Sequence, residues 1–131
     1  MANSITTFLM FDGDAQEAIT LYTSLFDGSK VTSMERYGEG EEGTEGSVKR
    51  ANFTLNDQNY ICIDSPVSHE FHFTPSTSLF VECENDEEIT MLFDALSSGG
   101  TVLMPIGDYG FSKKFAWIND KFGVSWQLNL V

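Results

Sequence analysis

Basic residues are scarce in this chain. Seven Lys and Arg stand against twenty Asp and Glu over 131 residues, a formal charge of −13. Such a charge repels phosphate backbones and anionic lipid headgroups, so nucleic-acid and membrane-surface partners are not expected. No stretch approaches the roughly eighteen consecutive apolar residues of a membrane span. The N-terminus also lacks a basic segment followed by an apolar one, so a cytoplasmic protein is expected. There are only two cysteines, Cys62 and Cys83, both in strand-like segments without Cys-x-x-Cys spacing. Two buried free thiols are expected, ahead of a disulfide or a zinc pair. Histidine is equally rare. His69 and His72 lie between Pro66 and Pro75, where an extended chain points positions i and i+3 apart, against a shared metal. They are expected as loop histidines, with a pocket-wall or general-base role for one of them as the functional alternative.

What the chain does have is apolar and aromatic. Hydrophobic residues make up 41%, enough for one domain with a core, and eleven Phe, four Tyr and two Trp exceed what a core of this size needs. A surplus of aromatics also lines small-molecule pockets. Residues 5–13 read as a strand. Residues 14–26 carry Ala15, Ala18, Ile19, Tyr22, Leu25 and Phe26 at helical spacing, with Asp14 and Glu17 in the positions of a capping box. Strands follow at 30–37, 49–56 and 58–64, the last two joined by a turn at Asn56-Asp57. "GEGEEGTEG" (38–46) is expected to be a solvated, mobile loop. After a connector the order restarts: strand 78–84, helix 85–100, strands 101–110 and 112–119, and a closing strand. In that closing strand Val124, Trp126, Leu128 and Leu130 alternate with Ser125, Gln127 and Asn129.

The restart is an internal repeat. A shift of 71 aligns Leu21, Tyr22, Leu25, Gly28 and Val31 with Leu92, Phe93, Leu96, Gly99 and Val102, and a later shift of 63 superposes Asn56-Asp57 on Asn119-Asp120. The expected fold is α+β: a single domain over 1–131 made of two βαβββ modules, about 1–66 and 76–131, joined by a connector at 67–75. Curved mixed sheets would form a cleft, with the helices outside. Under these shifts Thr7 matches Ser78 on the first strands and Asp64 matches Gln127 on the last, giving four polar corners.

"FLMFDGDAQEAITLY", "FTLNDQNYICIDSP", "FTPSTSLFVEC" and above all "NDKFGVSWQL" resemble the PhnB-like branch of the vicinal-oxygen-chelate superfamily. Glyoxalase I, extradiol dioxygenases and bleomycin-resistance proteins belong to that superfamily. The branch also carries the label of a 3-demethylubiquinone-9 3-methyltransferase domain. The resemblance implies a homodimer, and in metal-dependent members the four corners hold His, Gln or Glu around a divalent ion. Here they are Thr7, Asp64, Ser78 and Gln127, too few nitrogen and carboxylate donors for such an ion, so no metal or other cofactor is expected. A His that many members of the branch carry before the Ala of the third strand is Arg50 here. That cation suits an anionic ligand group or an outward ion pair.

The resulting expectation is a cleft binding a small organic molecule, lined by Thr7, Asp64, Ser78, Gln127, Phe71, Phe73, Tyr109, Phe111 and Trp117. Lys113 and Lys114 stand near its mouth. Asp64 is the one weak candidate for a general base. A metal-assisted enzyme of glyoxalase or dioxygenase type and a drug-sequestering protein are the alternatives. S-adenosylmethionine methyl transfer is rejected despite the label, because "DGDAQEA" has one glycine where a nucleotide-binding turn needs several.

Overall fold

A computed structural model describes all of residues 1–131. It divides into two compact units, Met1–His69 and Glu70–Val131. The first contains β1 (Thr7–Phe11), α1 (Ala15–Leu25), β2 (Lys30–Arg36), β3 (Val48–Leu55) and β4 (Gln58–Asp64). The second contains β5 (Ser78–Glu82), α2 (Asp86–Ser97), β6 (Thr101–Gly107), β7 (Lys114–Asn119) and β8 (Ser125–Leu130). Each unit is βαβββ with an open four-stranded mixed sheet, in the orders β1-β4-β3-β2 and β5-β8-β7-β6. The first and last strands of each unit run parallel and the other pairs antiparallel.

In the first unit α1 buries Ala15, Ala18, Ile19 and Tyr22, the stripe its spacing predicts. The sheet answers with Leu9, Ala51, Phe53 and Cys62, which share a face because paired residues point the same way. Full burial of side chains such as Tyr22, Phe53 and Ile19 contributes about 2 kcal/mol each. In the second unit Ile89, Leu92 and Leu96 of α2 are fully buried, as are Ala116, Ile118, Trp126 and Leu128 of the sheet. Pro105 sits in β6, an edge strand where its missing N–H interrupts no central ladder, and the pairing with β7 shifts register there. No helix is long and apolar enough to cross a membrane.

The two helices are capped differently. On α2, Asn85 Oδ1 accepts from Glu88 N at 2.9 Å and Glu88 Oε1 accepts from Glu84 N at 2.7 Å, close to a capping box. On α1, Asp14 makes no side-chain cap bond. Its place is taken by Asp64, whose Oδ1 accepts from Gly13 N and Ala15 N at 2.9 Å each. The expected local capping box is therefore replaced by a carboxylate from the far end of the module. The loop at 38–46 is solvated as expected, with no buried residue, and it carries internal bonds. It closes through Gly46 N to Tyr37 O and Gly38 N to Glu41 Oε1, Glu41 pairs with Lys49, and Gly43 lies on the Tyr37 ring, where a Cβ would come within 2.4 Å. The Tyr37 hydroxyl then donates to Asp64 O at 3.1 Å.

Candidate functional site

Alternation along a strand separates each sheet into a face packed on its helix and a face turned away from it. In the second unit Trp126, Leu128 and Leu130 lie on the helix side. Ser125, Gln127 and Asn129 lie on the distal side. Register places Ser78, Phe80 and Glu82 of β5 and Phe115, Trp117 and Asn119 of β7 beside them. The hydrogen bonds agree: Trp117 Nε1 donates to Ser125 Oγ at 2.8 Å, Ser78 Oγ to Ser125 Oγ at 3.1 Å, and Asn129 Nδ2 to Glu82 Oε2 at 2.9 Å. An aromatic group borders the strip. Phe115, opposite Asn129, meets Phe111 edge-on at 5.0 Å and Tyr109 at 6.1 Å.

This face has hydrogen-bonding capacity left over. Ser125 is 1% exposed; its oxygen accepts from Trp117 and shares a hydrogen bond with Ser78, whose hydroxyl also reaches Pro75 O at 3.4 Å. The amide oxygens of Asn119 and Asn129 are buried without a partner. Gln127, half-buried between them, is the middle rung. Buried polar atoms in native proteins are nearly always satisfied, and each exception costs about 1–3 kcal/mol.

The two halves of the expected four-corner set fall on different kinds of face. Ser78 and Gln127 share the distal face of their sheet, whereas Thr7 and Asp64 lie on the helix side of theirs, with Leu9 and Cys62. The cause is the hairpin length. Asn56 and Asp57 are the whole turn between Leu55 and Gln58, both at positive φ as a type I′ turn requires. Asn119 is still in its strand, paired with Ser125 across a five-residue loop, 120–124. Superposing the two Asn-Asp pairs slides β8 by three residues, and an odd slip exchanges the faces. The two exposed distal phenylalanines give the correct match. Phe8 pairs with Ile61 and Phe80 with Gln127, so Ile61 is the counterpart of Gln127 and Leu130 that of Asp64. In the first unit the distal positions where β1 and β4 pair are apolar (Phe8, Met10, Ile61, Ile63), with Asn59 at the start of β4, and Arg50 Nε donates to Asn52 Oδ1 on β3.

Both oxygens of Asp64 are engaged by the backbone. The residue is 2% exposed, and beyond the two bonds to the start of α1 its Oδ2 accepts from Val48 N at 2.9 Å. It fastens β4 to α1 and β3 on the helix side of the sheet, away from the distal face. Asp120, 3% exposed, does the equivalent work in the "DKFGVSWQ" motif. Its Oδ1 accepts from Phe122 N and Val124 N and its Oδ2 from Trp126 Nε1, while Gly123 takes φ +93°. The motif is thus a turn lock that delivers Gln127 to its place.

Tyr109 and Phe111 join the aromatic group, and Trp117 lies in the polar strip. Phe73 packs near Gly123, and Phe71 is exposed. Lys114 pairs with Asp86 at 2.7 Å at the start of α2, which lowers the Asp86 pKa, and Lys113 is exposed outside the strands. His69 Nε2 lies 3.0 Å from Ser65 Oγ, and both histidines are exposed in irregular chain. Cys62 and Cys83 are buried free thiols. Burial, with Asp64 nearby, pushes Cys62 up to about 12, and burial with Glu88 pushes Cys83 up to about 11. Ser125, Asn129, Asn119, Phe115 and Phe80 were not expected in a site. The period-2 alternation through Gln127 was the signal that could have found the first two.

The fit to a metal can be judged from the donors. Two of the four corners lie on the helix side of their own sheet, and the single corner carboxylate already holds three backbone N–H groups. No group of three His, Cys, Asp or Glu side chains is assembled elsewhere. These residues do not fit a transition-metal centre.

The architecture is that of the vicinal-oxygen-chelate fold. The fosfomycin resistance protein FosX from Mesorhizobium loti shares it with a TM-score of 0.62 at 11% identity, over 98% of this chain and 92% of that one. The family model described as 3-demethylubiquinone-9 3-methyltransferase matches residues 3–129, and the chain belongs to that family. A PhnB protein from Bacillus cereus is 57% identical over 98% of this chain and 100% of its own, with a TM-score of 0.96. Protein YjdN of Escherichia coli (strain K12) is 23% identical over 97% of this chain and 95% of its own.

Proposed function

We propose that this PhnB-like protein binds a small, flat organic molecule on the distal face of its second module, without a metal ion. Ser78, Trp117, Ser125 and Gln127 meet the ligand's polar groups, and Tyr109, Phe111 and Phe115 meet its ring. The observation that carries the reading is the two buried amide oxygens without partners, on Asn119 and Asn129, along a strip that holds the half-buried Gln127 and is bordered by aromatics. A preformed site with a few placed polar groups and an apolar wall is the common form of small-molecule recognition. The methyl transfer in the family's description is not part of this reading, since residues 12–14, with one glycine, are the whole link from β1 to α1. The protein acts in this reading as a cytoplasmic homodimer, a state supported by the exposed Phe8 and Phe80 on sheet faces.

The test is a thermal-shift screen of flat aromatic compounds in chelator, on wild type and Gln127→Leu. A binder present at 100 times its Kd stabilises by about 2.7 kcal/mol. At least one compound should raise Tm in wild type and not in the variant. Compounds that act only with added Mn²⁺ or Ni²⁺ would contradict the metal-free reading.

A further inference from the structure

Resting on that reading, we infer that the ligand presents hydrogen-bond donors, as an amide, amidine or amine does, at the Asn129 end of the strip. Asn129 is 5% exposed, and its amide orientation is fixed by chemistry. A carboxylate accepts only, so the nitrogen faces Glu82 and the oxygen is the atom left without a partner. Only a donor completes it. The charges around it point the same way. The distal positions of β5, β7 and β8 hold one carboxylate, Glu82, and no Lys, Arg or His. Lys114 pairs with Asp86, and Lys121 lies over the Phe122 ring at 5.2 Å. The buried Asn119 oxygen, at the opposite end of the strip, also lacks a donor. Phe115, opposite Asn129 in register, ties this end to the aromatic group, so a ring on that wall carries its donors toward Asn129 and Glu82. Asn129 Oδ1 is closed to solvent, so a neighbouring side chain turns aside as the ligand enters. Gln127, two positions along the same face and half-buried, is placed to do so.

Three probes of one shape test this: benzamidinium, benzamide and methyl benzoate, titrated at 0.3 M NaCl to screen the net charge. The readout is NMR of the two indole N–H groups. Benzamide should bind at least tenfold tighter than methyl benzoate, and benzamidinium tighter still. Asn129→Leu should abolish the benzamide advantage while the Trp117 signal still moves. Glu82→Gln, at an exposed side chain, should remove the extra affinity of benzamidinium and serves if the leucine variant does not fold. Methyl benzoate binding as tightly as benzamide, with the Trp117 signal moving, would overturn the donor inference and leave the site reading standing. No movement of the Trp117 signal with any probe would overturn both.

Discussion

Asp64 and Gln127 look alike in the sequence, each a polar residue on the last strand of its module, yet they do opposite things. Asp64 spends both oxygens on backbone N–H groups that lie 16, 49 and 51 positions away in sequence. Nothing local to "ICIDSP" could reveal those partners. Gln127, by contrast, could be placed by alternation on the face opposite Trp126 and Leu128. Asp64→Asn halves the acceptor capacity and turns an NH₂ toward a backbone donor, so it should cost about 2–4 kcal/mol. Gln127→Leu should change stability by no more than about 0.5 kcal/mol. Urea unfolding of the two variants checks the contrast, and equal effects would show that Asp64 is no fastener.

At the scale of elements, the order of strands and helices was readable because period 2 and period 3.6 are local properties. The pairing of the two modules was not. It depends on whether the hairpin loop holds two residues or five, and the repeated Asn-Asp disguises that difference. Gly100 offers a test of how tightly β6 follows α2. A Cβ there would come within 2.1 Å of Asn119 O, a backbone atom that cannot step aside. Gly100→Ala should therefore push β6 off β7 and destabilise the protein by more than about 2 kcal/mol. Hydrogen exchange should show the loss of protection starting in β6. Unchanged exchange in β6 and β7 would refute the assigned contact.

For the whole molecule, the two thiols make a prediction about pH. Burial holds Cys62 and Cys83 neutral in the fold, up to about 12 and about 11. Unfolded, each ionises near its ordinary value of 9.0. Their contribution is complete below pH 9 and is lost as pH rises toward 11 and 12, because the unfolded state releases protons first. Stability measured from pH 8 to pH 11 should fall, and the double variant Cys62→Ala, Cys83→Ala should show a shallower slope. The remaining question of scale is where a ligand sits. The chain has two tryptophans, one on each kind of face. Trp117 donates to Ser125 on the distal strip, and Trp126 donates to buried Asp120 on the helix side. Following both indole N–H signals while a binder from the screen is added in chelator is the most direct measurement. The account predicts that the Trp117 signal moves saturably and the Trp126 signal stays. Movement of Trp126 alone, or dependence of the Trp117 shift on added metal, would contradict it.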